Sequence, residues 1–448
     1  MRDAARASRA ERGAALERVP LALEELNVES LDAEGRGVAR NAEGKVVFVE
    51  GALPGERVLT EVFARKKRFD LVRARTILEP SPLRRVPECP HFGVCGGCVL
   101  QHADSALQVA EKERGLLENL ARIGKATPER VLPPLAGEPW GYRHRARLSV
   151  RRVPKKGGVL VGFRERRSTY VADMQECPVL PPQVSALIPK LKFLVEKLSV
   201  RQRLPQIEVA VGDNATALVF RHLDPLTEQD KELFVDFSER HAVHVWLQPK
   251  GPDTAHPFHP DKSELWYELP EFGLRLGFRP TDFTQVNHAV NRLLVSRAVE
   301  LLEPRSGERV ADLFCGLGNF SLPLAVRGAQ VIGFEGSAEL VARARENAQA
   351  NGVLAQFEAL DLFKGDISSW GPFEKILLDP PREGAIELVR ALPEGWPKRV
   401  VYVSCDPATL ARDAGVLVHV KSFRLAAAGV ANMFPHTAHV ESIALFER

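Results

Sequence analysis

Cys405 follows a run of apolar residues, 400–403, and precedes a proline two residues later. A strand that ends in this way presents its thiol at the carboxyl edge of a sheet, where open α/β folds bind ligands. Far downstream, Glu441 opens the last strand-like segment, 442–446. A thiolate and a carboxylate at one sheet edge are the two groups needed to substitute carbon 5 of a uracil ring. A buried, inert thiol is the alternative interpretation of Cys405.

A second motif indicates a nucleoside ligand. Residues 312–320 end one predicted strand and open a helix, and their glycines let the backbone approach a ligand closely. Ser321 stands where a dinucleotide fingerprint has its third glycine, which argues against a pyrophosphate ligand. Glu335 ends the next strand, where a carboxylate suits ribose hydroxyls, and Asp361 ends the third, where an adenine edge would lie. These contacts predict S-adenosylmethionine rather than NAD.

The fourth predicted strand, 376–378, is followed by Asp379 in an Asp-Pro-Pro-Arg motif. Amino-group methyltransferases use a related motif with an aromatic fourth residue, so Arg382 disfavours that class. Cytosine-5 methyltransferases also use a cysteine, but they need a group that recognises the cytosine amine. Asp379 could accept the N3 proton of uracil, and Gln285 could bond a ring edge or the cofactor. Helix amino termini gather at this edge, so we expect a lowered pKa for Cys405.

Four of the six cysteines form a pattern of their own. Cys89, Cys95 and Cys98 have C-x5-C-x2-C spacing, and Cys177 stands far downstream. This grouping predicts a metal site, because disulfides are disfavoured in the cytosol. Spacing alone does not separate zinc from an iron–sulfur cluster, although the proline after Cys89 and after Cys177 favours iron–sulfur. Cys315 is expected to pack beneath the cofactor loop.

The elements that position these groups fall into four predicted regions. Residues 1–20 are expected to form a basic, disordered tail, and 21–80 a small all-β barrel of the oligonucleotide-binding type. Residues 81–285 are mixed α+β, with a Pro-rich loop near their end. Residues 286–448 alternate strands with helices, which predicts a parallel sheet whose last strand is antiparallel.

Charge and hydropathy narrow the class of protein. The net charge of +3 does not by itself indicate a nucleic-acid partner. Two basic clusters with interleaved aromatic residues, 64–75 and 141–167, suit RNA contacts, and a solvated face is the alternative for each. No apolar run has the length of a membrane span, and the first residues lack a signal-peptide core. We therefore expect a cytoplasmic, monomeric protein with no membrane partner.

These motifs resemble those of the RNA uracil-5 methyltransferase family across nearly the whole chain. The Ser-Cys-Asp-Pro sequence around Cys405 is similar to the family's Ser-Cys-Asn-Pro, and segment 433–441 is similar to its base segment. The resemblance implies a C-terminal, Rossmann-like class I methyltransferase domain in which Cys405 is the nucleophile and Glu441 the base. It also implies a methyl-donor site lined by Gln285, Phe314, Asn319, Glu335, Asp361 and Asp379.

The N-terminal half carries the rest of the resemblance. Segments 28–39 and 48–58 resemble a TRAM domain, and the four cysteines resemble the ligands of a 4Fe-4S cluster in the central domain. Within the family these two features occur together in the enzymes that modify 23S rRNA. The implied activity is methyl transfer from S-adenosylmethionine to carbon 5 of a uridine in 23S rRNA. The same chemistry on tRNA and a non-catalytic RNA-binding module are the alternatives.

Overall fold

The computed structural model describes residues 23–364 and 367–448, so the predicted tail, residues 1–20, lies outside the described residues. The chain divides into two compact units, one ending at Arg84 and the other running from Arg85 to Arg448. The further division of the second unit at residue 286 stays a prediction.

The first unit is a six-stranded sheet in the order β1-β5-β6-β4-β3-β2. Its strands are β1 Leu23–Asn27, β2 Ser30–Leu31, β3 Gly37–Arg40, β4 Val46–Glu50, β5 Arg57–Arg65 and β6 Phe69–Glu79. Side chains alternate between the two faces of each strand, so one face collects a small core that includes Val47, Val49 and Val72. Strands β4, β5 and β6 cover the apolar segments 46–49, 58–62 and 71–78 of the sequence.

The second unit contains two large sheets, a hairpin and nine α-helices among its described residues. Its strands are β7 Arg130–Val131, β8 Arg145–Val153, β9 Gly158–Gly162, β10 Gln206–Val211, β11 Thr216–Arg221, β12 His244–Gln248, β13 His256–His259, β14 Leu265–Leu269, β15 Leu274–Phe278, β16 Arg309–Leu313, β17 Gln330–Glu335, β18 Gln356–Ala359, β19 Lys375–Leu378, β20 Arg399–Ser404, β21 Arg424–Ala431 and β22 Glu441–Glu447. Its helices are α1 Ser105–Asn119, α2 Pro182–Ser185, α3 Ile188–Lys197, α4 Glu228–His241, α5 His288–Leu302, α6 Ser321–Val326, α7 Ala338–Ala350, α8 Ile386–Ala391 and α9 Pro407–His419.

The central sheet has the order β13-β12-β11-β10-β8-β9. It buries a large apolar core together with helices α3 and α4, including Leu191, Phe220 and Phe234. The Pro-rich segment 249–262 was predicted as a loop, and this is wrong in part, because its backbone supplies the edge strand β13. An edge position tolerates proline, since half of the strand's backbone groups need no ladder partner.

The catalytic region is an eight-stranded sheet in the order β18-β17-β16-β19-β20-β22-β21-β7. Strands β16 to β20 are parallel, and β22 pairs antiparallel with β20, as predicted for the last strand. The strand order reverses between β16 and β19, and open α/β sheets bind ligands at the carboxyl ends of the strands at such a switch point. The fold therefore locates a ligand site before any side chain is considered.

Helix α1 packs against this sheet. The Asp104 side chain caps the helix by accepting a hydrogen bond from the Ala106 amide at 2.9 Å. A π-helical turn, Leu120–Gly124, extends it onto α9. Gly124 is required there, because a Cβ atom would lie 2.5 Å from the carbonyl oxygen of Ala411. The face that α1 buries is partly polar, and it includes Gln108 and Lys112.

The predicted iron–sulfur site of the central domain is wrong. Among the described residues, no group of three or more His, Cys, Asp or Glu side chains is arranged to hold a metal ion. All four cysteines are free thiols, and Cys95, Cys98 and Cys177 lie in or against the apolar core of the central sheet. Burial raises the pKa of Cys98 to about 11 and that of Cys177 to about 12. Burial thus disfavours the thiolate, which is the form of cysteine that binds metals.

Candidate active site

Two strand ends place Cys405 and Glu441 at the same edge of the sheet. Cys405 follows β20, and Glu441 is the first residue of β22. The antiparallel register pairs Ser404 with Ser442, so the next position outward on each strand is Cys405 on one side and Glu441 on the other. The two residues are 36 positions apart in sequence and become neighbours only through this pairing.

A cavity of about 730 Å³ opens at this edge. Its volume lies in the range of small-molecule sites. The eight predicted catalytic and methyl-donor residues all line it: Gln285, Phe314, Asn319, Glu335, Asp361, Asp379, Cys405 and Glu441. It is also lined by residues that had no assigned role, namely Tyr267, Phe363, Arg382, Phe434 and His439, and by Phe283, which is 66% exposed.

The loop after β16 is held by a bond that the sequence motif does not reveal. The Ser321 hydroxyl donates to the carboxylate of Asp312, which is fully buried at the end of the strand. This bond ties the strand end to the start of α6. Phe314 has a φ of +67° and Gly318 a φ of +96°, so the loop turns sharply towards the cavity. Glycine is required at 318 because few side chains adopt that backbone conformation.

Glu335 is fixed by two backbone amides at the end of β17. Gly316 donates to one carboxylate oxygen at 3.1 Å, and Ser337 donates to the other at 2.9 Å. Each oxygen keeps a second lone pair for a ligand. Two acceptors held side by side suit the two hydroxyls of a ribose, which is the ribose contact expected for S-adenosylmethionine.

The other predicted cofactor residues differ in whether their side chains already have partners within the protein. Asn319 is already engaged, because its side-chain oxygen accepts from the Tyr267 hydroxyl and from Asn291, both at 2.9 Å. It therefore shapes the cofactor loop at least as much as it offers a ligand contact. Asp361 is exposed and pairs with Lys364 at 3.2 Å. Tyr267 was missed by sequence reasoning, since it lies in the β14–β15 hairpin and carries no motif.

Substitution Glu335→Gln tests the ribose contact. An amide keeps the size of the side chain but sets a donor against one of the two backbone donors, so the group loses both its charge and its fixed orientation. We expect donor affinity to fall about 10- to 100-fold, because hydrogen bonds to a charged group contribute about 1.5–3 kcal/mol. Calorimetric titration with S-adenosylmethionine measures this effect. Glu339→Gln, on the exposed first turn of α7, is the matched control and should bind normally.

The pKa values of three ionisable groups in the cavity are raised above their usual range. Burial, with the carboxyl groups of Glu441 and Asp379, raises the pKa of Cys405 to about 11, and Arg382 opposes this shift. The expectation of a lowered thiol pKa is therefore wrong for the protein without ligands. Burial raises the pKa of Asp379 to about 7, and burial with the neighbouring Asp379 raises the pKa of Glu441 well above its usual range.

Asp406, which is adjacent to Cys405, is engaged at the start of the following helix. Its carboxylate caps α9 by accepting from the amides of Ala408 at 2.9 Å and Thr409 at 3.1 Å. An asparagine, which the family pattern has here, caps helices equally well. The Asp therefore fills a structural role at the start of the helix.

The comparisons with known proteins agree with this geometry. The family model described as tRNA (Uracil-5-)-methyltransferase matches residues 108–359 and 355–448, and the TRAM domain model matches residues 24–69. The 23S rRNA (uracil(1939)-C(5))-methyltransferase RlmD of Nitrosospira multiformis is 60% identical over 94% of this chain and 98% of its own. The RlmD protein of Thiobacillus denitrificans is 61% identical, over 94% and 99% respectively.

A solved structure shares the architecture as well. The tRNA (uracil-54, C5)-methyltransferase of Pyrococcus abyssi, in complex with S-adenosyl-L-homocysteine, superposes with a TM-score of 0.74. It is 26% identical and covers 94% of this chain and 99% of its own.

Within residues 23–364 and 367–448, no helix has both the length and the apolar character needed to cross a membrane. The chain belongs to the RNA (uracil-5-)-methyltransferase family and is a methyltransferase that uses S-adenosylmethionine.

Proposed function

We propose that the protein methylates carbon 5 of a uridine in 23S rRNA through a covalent adduct with Cys405. The observation that carries the proposal is the position of Cys405 and Glu441 at one sheet edge, both lining the cavity that contains the Glu335 carboxylate. The choice of RNA rests on the relatives that match almost the whole chain and are named as 23S rRNA enzymes. We also propose that the protein works in the cytoplasm as a monomer.

The chemistry follows from the residues of the cavity. S-adenosylmethionine supplies an electrophilic methyl group when it is bound. Cys405, as the thiolate, adds to carbon 6 of the uracil, and the electron pair of the C5–C6 double bond moves towards O4, which makes carbon 5 nucleophilic. After carbon 5 has taken the methyl group, Glu441 removes the remaining C5 proton. The double bond re-forms, and the sulfur of Cys405 leaves as a thiolate.

Two further residues serve the proposed chemistry, and one of them, Asp379, favours uracil over cytosine. Asp379 is half-buried at the end of β19, where a carboxyl oxygen can accept the N3 hydrogen of uracil, a hydrogen that neutral cytosine lacks. Arg382 lies near enough to Cys405 to oppose the rise in its pKa, so it favours the thiolate. A target in folded RNA must be flipped out of its stack to reach these groups, and the exposed ring of Phe283 at the cavity offers a stacking surface.

RNA bearing 5-fluorouracil at the target position tests the covalent step. Fluorine replaces the hydrogen that Glu441 must remove, so the adduct cannot resolve and should persist in denaturing gels. The rate of trapping should rise with pH, with a slope near one on a logarithmic scale between about pH 6 and 9, because the thiolate fraction grows tenfold per unit below the pKa. A falling rate, or methyl transfer without any trapped complex, would contradict the mechanism.

The RNA-binding surface also stays a proposal. In the cluster 141–167, several arginines have partners within the fold: Arg145 donates to the carbonyl of Pro280, Arg147 pairs with Glu208 and Arg152 with Glu196. Exposed cations of this cluster include Arg151 and Lys155.

The RNA target can be assigned in cells. Mapping 5-methyluridine in 23S rRNA and in tRNA from cells lacking the gene should show the loss of one site in 23S rRNA. Loss from tRNA alone would support the tRNA alternative.

A further inference from the structure

The segment between β21 and β22, residues 432–440, leads directly into Glu441. We refer to it as the base loop. Phe434 and His439 of this loop line the active-site cavity beside Glu441. His436 has a φ of +65°, which an L side chain rarely adopts, so surrounding contacts must hold the loop in this conformation.

Lys112, on the buried face of α1, supplies one of these contacts. Its ammonium group donates to the side-chain oxygen of Asn432 at 2.8 Å and to the carbonyl oxygen of Phe434 at 2.9 Å. Lys112 is 4% exposed and does not line the cavity. Burying a lysine costs free energy unless its donors are satisfied, so these two bonds hold both partners in place.

Gln108 lies one turn earlier on the same helix and holds the middle of the base loop. Its side-chain oxygen accepts from the His436 amide at 2.7 Å. Its side-chain nitrogen donates to the carbonyl oxygen of Ala103 at 2.9 Å and to that of Leu100 at 3.2 Å, so the glutamine is itself fixed. Residues four apart on a helix share one face, and Gln108 and Lys112 thus act on the loop from the same side.

Four further contacts complete the support around His436. The Tyr142 hydroxyl donates to the carbonyl oxygen of Pro435 at 3.0 Å. The amides of Val99 and Leu100 both donate to the carbonyl oxygen of His436 at 2.9 Å. The Trp140 ring stacks on His436 with the ring centroids 3.9 Å apart. The strained residue is therefore held by its amide, its carbonyl and its ring.

We propose that Lys112 and Gln108 are positioning residues for the proton-abstraction step. They hold the base loop so that Glu441 faces carbon 5 of the target base. The inference rests on the proposed function, because it assigns these residues to the step in which the adduct resolves. A displacement of about 1 Å can cost on the order of 100-fold in rate when a reacting group must be oriented.

Lys112→Met tests the proposal by separating formation of the covalent adduct from its resolution. Its adduct with ordinary RNA should form at the normal rate but resolve on the order of 100-fold more slowly, so that a methylated protein–RNA complex accumulates. Trapping by RNA with 5-fluorouracil, which needs no base, should keep the wild-type rate, and donor affinity should be unchanged. A merely destabilised protein would lose both halves together. Lys231→Met, a surface lysine on α4, is the control and should behave as wild type.

Asn432 provides a second pair of variants in case Lys112→Met does not fold. Asn432→Leu removes the acceptor for Lys112, whereas Asn432→Asp keeps one, so Asn432→Asp should retain more of the resolution rate. Normal resolution in both Lys112→Met and Asn432→Leu would overturn the proposal, as would an equal slowing of trapping and resolution. Glu441→Gln is run alongside. If it too fails to accumulate the adduct, the covalent mechanism itself is at fault and the positioning role falls with it.

Discussion

Cys405→Ala is expected to lower methyl transfer by more than about 10,000-fold, because the covalent route begins with this thiolate. Cys315 also lines the cavity, but burial raises the pKa of its thiol well above the usual value. Donor binding should survive, since Glu335 ends β17 and the loop 314–320 follows β16, and strand β19 separates both from the strand that precedes Cys405. Transfer of a labelled methyl group to RNA measures the first effect, and calorimetry with S-adenosylmethionine measures the second.

The neighbouring Asp406 supplies the control for this variant. Asp406→Asn keeps the cap of α9 and should retain activity, since its carboxylate bonds only to helix amides among the contacts described. Trapping by RNA with 5-fluorouracil must disappear in Cys405→Ala. A trapped complex that survives this substitution would show that another residue is the nucleophile.

Glu441→Gln should produce the opposite phenotype, an enzyme that methylates once and stays attached to its product. The Glu441 carboxyl group raises the pKa of Cys405, so its removal lowers that pKa and leaves thiolate attack as fast as in the wild type or faster. Proton removal from carbon 5 then has no base, and loss of a general base typically costs about 100- to 10,000-fold. The measurable result is a methylated adduct that persists with ordinary RNA.

The far end of the same strand offers a matched control for the base. Glu447 pairs with Arg399 and Arg424, away from the cavity, and Glu447→Gln should release its product normally. Rapid product release by Glu441→Gln, at the wild-type rate, would exclude Glu441 as the base. The adduct can be quantified by denaturing gel electrophoresis and by mass spectrometry of the protein–RNA complex.

The raised pKa values explain why both variants are informative. Burial raises the pKa values of Asp379, Cys405 and Glu441 in the cavity that they share. The carboxyl groups of Glu441 and Asp379 add to the shift of Cys405, and Asp379 adds to the shift of Glu441. The nucleophile and the base are therefore both harder to ionise than the same groups in water. Glu441→Gln removes the base and also changes the ionisation of Cys405, so its effects on adduct formation and on adduct resolution need to be measured separately.

Local sequence patterns predicted that three residues of the site lie at one edge of the sheet. Glu335, Asp379 and Cys405 each follow an apolar segment, and the structure places all three at one edge, because the carboxyl ends of parallel strands meet there. The same reasoning failed for the four cysteines. Spacing shows that thiols are near one another in the chain, but it does not show whether they point at a common centre. Among the described residues, the folded chain does not arrange three or more such side chains to hold a metal.

The amino-acid sequence alone thus determined the motifs, the strands that carry them and the class of cofactor. Only the folded protein paired Glu441 with Cys405, since the antiparallel register of β20 and β22 depends on packing across the whole sheet. Only the folded protein brought Lys112 to Asn432, which lies 320 residues further along the chain. The direction of the Cys405 pKa shift was likewise decided by burial and by charges from distant segments, which no local pattern encodes.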